Sequence, residues 1–156
     1  MDEIPGVRFL FLWFFDWIEM TTSLLFPMAA HVAWAFLLYN LLTLARAPKI
    51  WGVGLKADGS NPWTALEPRI SANLSNQFEW PLFFYIACVL LMQMNAVGLT
   101  AVVLAWVFIL GRIVHSLVQI LTTNIRLRGV VFTINFLASF GLWALLLVAG
   151  LALSKP

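Results

Sequence analysis

The sequence predicts an all-α integral membrane protein built as a bundle of four transmembrane helices. Three observations carry this. First, 62% of the 156 residues are hydrophobic and only 10% are charged, where a soluble domain carries about 25% charged residues. Second, the apolar runs approach the ~20 residues that cross ~30 Å of hydrocarbon as a helix. Third, these runs lack the period-2 alternation of a membrane barrel. Lipid offers no partner to a backbone N–H or C=O, so the helix is the structure that remains.

A short segment, 1–22, precedes the membrane domain, 23–156. Within it RFLFLWFFDWIEM, residues 8–20, is rich in Phe and Trp but carries Asp16 and Glu19. It reads as an interfacial helix or an extension of the first span, because a fifth crossing would have to reverse around Thr21 to Ser23. The first span runs from about Ser23 to Leu44, with Pro27 in its first turns, where a missing N–H costs least. The second runs from about Phe78 to Val97, its helix beginning earlier. The third runs from about Leu99 to Leu121 and the fourth from about Val130 to Leu153.

The connections differ in character. Spans one and two are joined by ARAPKIWGVGLKADGSNPWTALEPR, which holds Arg46, Lys49 and Lys56 among turn-forming Gly, Pro and Asn. The link between spans two and three is short and uncharged. The link between three and four holds Arg126 and Arg128. Basic connections stay cytoplasmic, so both termini are expected on the far side. Trp51, Trp63 and Trp80 suit the aromatic belt at the membrane surface.

Several function classes drop out. The net charge of +2 is small, and no basic patch interleaved with aromatics suggests a nucleic-acid partner. The lone cysteine, Cys88, lies inside a span, which excludes an intrachain disulfide, and no cluster has metal-ligand spacing. The start MDEIPG is acidic where a secretory signal is basic, so no cleaved signal is expected. A transporter would show paired broken helices, which these four spans lack.

The third span poses the functional question. Its end, GRIVHSLVQILTTNIRLRG, places polar side chains in an apolar helix. At ~100° per residue, His115 lies about −60° from Arg112, Ser116 about +40° and Gln119 about −20°. The remaining residues are apolar, so one polar face must meet protein, water or ligand. A central Arg facing lipid costs at least ~2.5 kcal/mol. The start of the second helix, RISANLSNQFEWPLFFY, behaves similarly. Arg69, Asn73, Asn76 and Gln77 fall within about 100° of one another, with Glu79 roughly 80° to one side of Arg69. Arg69, Arg112, Arg126 and Arg128 are thus expected to converge near one membrane surface, with amides as further donors and acceptors. Such a cluster suits a small, multiply charged anion, and a fixed cation also stabilises a thiolate.

Each residue has a structural reading beside the functional one. Arg126 and Arg128 serve as topology anchors, Asn73, Asn76 and Gln119 as glue between helices, His31 as a structural hydrogen bonder, and Arg112 with Glu79 as a buried pair.

The order of these residues resembles the MAPEG family, the membrane-associated proteins in eicosanoid and glutathione metabolism. The features are Arg69-x-x-x-Asn73 before Pro81-Leu82-Phe83, then Gly111-Arg112-x-x-His115, then Arg126-x-Arg128. The likeness covers about Ser23 to Leu153, and NQFEWPLFFY is similar to bacterial members, which implies a bacterial inner membrane. The resemblance implies a homotrimer of four-helix bundles that binds glutathione as co-substrate between subunits. It implies contacts from Arg69, Asn73, Arg112 and His115, and a later Arg that draws the thiol toward thiolate. Either Arg126 or Arg128 fills that role by spacing, and the reading leans to Arg128. Two positions depart from eukaryotic members: Asn76 stands where they have Glu, leaving Glu79 as the nearest acid, and Gln119 where they have Tyr. Eicosanoid synthesis is therefore not indicated.

The resulting expectation is a membrane glutathione transferase or peroxidase acting on a lipophilic electrophile or hydroperoxide from the bilayer. The alternative is a non-catalytic membrane trimer, for binding or scaffolding, that keeps the fold. The orientation is checked with a reporter active only in the cytoplasm. Inserted in the first connection it is expected to be active, and fused to the C-terminus silent; an active C-terminal fusion overturns the assignment.

Overall fold

A computed structural model describes residues 22–154. The interfacial reading of 8–20 falls outside the described residues. Within them the chain forms four antiparallel helical rods, three of them long and apolar enough to cross a membrane.

The first rod, α1, spans Leu25–Trp51. Its end is set by Gly52, whose φ of 66° turns the chain left-handed and whose N–H bonds the Pro48 carbonyl at 3.1 Å. At 27 residues it is ~40 Å long, so it runs past the expected end at Leu44. Arg46 and Lys49 therefore belong to its last turns, not to the connection.

The second rod is two helices in line, α2 at Glu67–Glu79 and α3 at Pro81–Gln93. Pro81 has no N–H to give the preceding turn, which interrupts the ladder. Trp80 nevertheless keeps helical angles, φ −70° and ψ −36°, and the rod continues through it. Each half is 13 residues, too short to span alone; the early start predicted for this helix is the polar α2. The rod ends at Asn95, which takes φ 52°. Ala96 N–H reaches back to Leu91 O at 2.9 Å and Asn95 N–H to Met92 O at 3.1 Å, the paired bonds of a left-handed helix end.

The third rod, α4, spans Leu99–Leu121 as expected. The fourth, α5, spans Ile125–Leu153 and starts five residues before the expected Val130. Asn124 is the reason: its side chain accepts from the Leu127 N–H at 3.0 Å, a helix N-cap. Arg126 and Arg128 accordingly lie in the first turn of α5.

Packing divides the bundle into layers. One apolar cluster gathers Leu24, Phe84, Ala87, Leu91, Phe108 and Leu142, among others, with Phe84 and Phe108 stacked at 4.3 Å. A second gathers Leu38, Leu42, Ala45, Ile70, Leu74 and Ile120 toward the other end. Between them lies a buried polar layer of His31, Asn73, Gln77, Arg112 and Ser116. Phe, Leu, Ile and Val crowd the outer surface instead, as a lipid solvent requires.

The α4–α5 seam is the tightest. A Cβ built on Gly111 would collide with Asn135 Oδ1, and one on Gly141 would come within 2.9 Å of Leu104 Cδ1. Small residues of this kind let membrane helices approach closely. Gly111→Ala is expected to destabilise the fold by roughly 1–3 kcal/mol through overpacking. Asn135→Ala should restore most of that loss, read as a non-additive double-mutant cycle in thermal unfolding. Additive effects would show that the two residues do not meet.

Candidate functional site

The polar layer is organised by Gln77. Its Oε1 accepts from Arg112 Nε at 3.2 Å and pairs with His31 Nε2 at 3.1 Å. Its Nε2 donates to Asn73 Oδ1 and to Ser116 Oγ, both at 3.2 Å. Ser116 in turn accepts from Trp34 Nε1 at 3.1 Å. With Oε1 as acceptor, His31 must donate from Nε2 and so accepts the Tyr85 hydroxyl at Nδ1, 2.9 Å away. His31 thus takes the structural role expected of it.

Arg112 is only 1% exposed. Besides Gln77 it meets the Asn76 carbonyl, from Nη2 at 2.5 Å. Among the described residues it forms no ion pair with Glu79; the single ion pair is Arg46–Glu67. The buried cation is therefore held by neutral oxygens on α2, which leaves its charge uncancelled by direct contact.

That charge borders a cavity of about 580 Å³, within the size range of small-molecule sites. Asn76, Glu79, Arg112, His115 and Arg128 supply its polar lining. Its apolar wall includes three aromatic rings, Trp80, Phe83 and Phe132. Trp80 stacks on Phe136 at 5.0 Å, and Phe83 and Phe132 are 44% and 40% exposed, so this wall reaches the lipid-facing surface. His115 Nδ1 and Trp80 Nε1 are buried without a protein partner, so hydrogen-bonding capacity remains at the cavity for something other than the chain.

A second cavity of about 400 Å³ lies alongside, sharing Ile125 and Arg128 with the first. Arg69 and Gln119 line it. Arg69 Nη1 also donates to the Ile120 and Thr122 carbonyls at 3.4 and 3.5 Å, at the end of α4, where a cation meets the negative end of the helix dipole.

The sequence-predicted residues are thus distributed as follows. Asn76, Glu79, Arg112 and His115 border the larger cavity, Arg69 and Gln119 the smaller, and Arg128 both. Asn73 is fully buried, donating to Gln119 Oε1 at 2.9 Å, and lines neither. Arg126 is exposed on α5 and lines neither. Asn76 also donates to Gln119, at 3.2 Å. Sequence reasoning placed Gln77 on the polar face of α2 without making it the hub, although it stands four residues after Asn73. It missed Trp80, Phe83 and Phe132 because aromatics in an apolar run carry no signal of their own. Among the described residues no group of three or more His, Cys, Asp and Glu could hold a metal. The arrangement can bind an anion and stabilise developing negative charge beside an apolar wall.

A helical bundle with membrane-length rods and a cationic cavity among them defines a polytopic integral membrane protein. A model of the MAPEG family matches residues 24–148, most of the chain, and the chain belongs to that family. The family is one of membrane proteins of glutathione and eicosanoid metabolism, generally oligomeric. No curated protein and no solved structure matches the chain.

Gln77→Leu keeps the side chain's size but strips Arg112 and His31 of their shared acceptor. It is expected to cost roughly 3 kcal/mol, because a buried charged donor loses its partner. Gln119→Leu, which removes bonds between neutral amides, should cost about 1 kcal/mol. Chemical denaturation of both variants checks the ranking; equal losses would remove Gln77 from its central place.

Proposed function

We propose that this chain is a glutathione-dependent membrane enzyme of the transferase or peroxidase type, working as a homotrimer. One observation supports the reading above others. Two guanidinium groups, Arg112 and Arg128, share a cavity with a carboxylate, Glu79, and an aromatic wall that opens toward lipid. Glutathione carries two carboxylates, one ammonium and a thiol. Arginine suits carboxylates and Glu79 suits the ammonium. The neighbouring cavity shares Ile125 and Arg128 with the first, and in this reading its Arg69 and Gln119 take the far end of an extended tripeptide.

Glutathione supplies the nucleophilic sulfur as co-substrate. Arg128, in the first turn of α5, holds that sulfur as thiolate by fixed positive charge, a task that needs no base at ~3 Å. Arg128 is exposed, so the thiol proton leaves to water. Arg126 lies outside both cavities and takes no part. Phe83, Phe132 and Trp80 receive the lipophilic partner from the bilayer. In transfer, sulfur bonds to the electrophilic carbon as a leaving group departs or a carbanion takes a proton. With a hydroperoxide, two glutathiones give one disulfide, an alcohol and water. The basic ends of α1 and α5 face the cytoplasm of a bacterial inner membrane.

A second reading has its own support. Asn73, Asn76, Gln119 and Arg112 are largely occupied by bonds to one another or to α2, as the helix glue of a non-catalytic trimer would be.

Calorimetry on the purified protein is expected to detect glutathione binding, with a thiolate band in the ultraviolet. Arg128→Ala should remove that band and lower turnover roughly 10²–10³-fold, the usual loss of one oxyanion donor, while Arg126→Ala should stay near wild type. A folded wild type that neither binds glutathione nor shows thiol-dependent turnover would falsify the enzyme. Loss of assembly in the Arg126→Ala/Arg128→Ala double variant would favour the second reading.

A further inference from the structure

A third polar-edged hollow lies where α1 enters the first connection, on the other side of Pro68 from the smaller cavity. Its volume is about 690 Å³, and Arg46, Lys49, Ile50, Leu55, Asn61 and Glu67 are among the residues that line it. We propose that it is a binding site for the phosphate of an anionic phospholipid, independent of the enzymatic reading.

Three observations converge. The first is depth. About 20 residues of α1 cross the hydrocarbon, leaving its last turns in the headgroup layer, which adds roughly 5–7 Å on each side. Arg46 and Lys49 stand in those turns, three residues apart and on one face.

The second is charge. Arg46 donates from Nε to Glu67 at 2.7 Å and from Nη2 to Ser71 at 3.1 Å, which orients its guanidinium. Its Nη1 has no protein partner among the described residues. The Lys49 ammonium forms neither a hydrogen bond nor an ion pair among them. Two cations against one carboxylate leave a single positive charge, matched to a phosphodiester.

The third is the apolar rim. Ile50 and Leu55 line the hollow, and Trp51 and Val53 beside them are 62% and 65% exposed. A soluble phosphate has no use for such a rim; the glycerol and first methylenes of a lipid do. This commits the site to a headgroup rather than a free anion.

Native mass spectrometry of the protein in a neutral detergent, titrated with short-chain phosphatidylglycerol, tests the site. One lipid is expected to bind ahead of phosphatidylcholine. Lys49→Gln should weaken it about fivefold, the effect of one basic residue at an anionic surface. Lys49 has no structural partner, so the variant should fold. Glu67→Gln should tighten binding by freeing Arg46. Lys56→Gln, outside the hollow, should leave binding unchanged. If Lys56→Gln weakens binding as much as Lys49→Gln, attraction is diffuse and the site is overturned. If Lys49→Gln has no effect, Lys49 merely complements the α1 dipole and the site is equally overturned. If glycerol phosphate alone competes at the same concentration as the lipid, the ligand is a soluble phosphate and the headgroup assignment fails.

Discussion

The bundle depends on where the Arg112 charge goes. A guanidinium 1% exposed among membrane helices is almost wholly desolvated, and that cost must be offset by fixed oxygens. Gln77 Oε1 and the Asn76 carbonyl provide them, both on α2. Gln77 can do so only because its own amide nitrogen is anchored to Asn73 and Ser116. The same oxygen takes His31 from α1. One amide thereby fixes three rods in register, and the apolar core has to divide around it into the Phe84–Phe108 cluster and the Leu38–Ile70 cluster.

This arrangement also explains the cavity. Arg112 is held from the α2 side by neutral groups, so its charge stays available on the side of α5. There the chain re-enters as a helix capped by Asn124, and its first turn carries Arg128 to the same space. Trp80, at the junction of α2 and α3, adds its ring to the same cavity. A cationic edge and an aromatic edge thus meet at the junction of α2, α3, α4 and α5. A polar surface and an apolar one therefore lie side by side in one cavity.

Much of this was legible in the residues. The third helix was placed at Leu99–Leu121 because its apolar run has clear ends. The polar stripe was legible because helical periodicity puts Arg112 and His115 on one side. Other features were not. The start of α5 was placed too late because hydropathy does not see a helix that begins in polar residues; the Asn124 cap was its only local mark. The extension of α1 through Arg46 and Lys49 was missed for the same reason. Asn73 carries the residue type of a binding group, yet it is spent inside the fold on Gln77 and Gln119.

By itself the sequence determined the solvent and, with it, the class of fold. Sixty-two per cent hydrophobic residues, gathered largely in runs of ~20 residues, indicate lipid as the solvent, and lipid admits only self-satisfied helices or closed barrels. It determined too that Arg112 required partners. Which partners, and which residues border open space, only the tertiary structure decided. Asn73 and Asn76 share a helix face, as do Arg126 and Arg128 a single turn, yet one of each pair lines the cavity and the other does not. Periodicity gives an angle about one axis. Whether a side chain ends in a cavity depends on how several axes cross, on a proline break and on a capped turn, and those are set by packing between segments far apart in the chain.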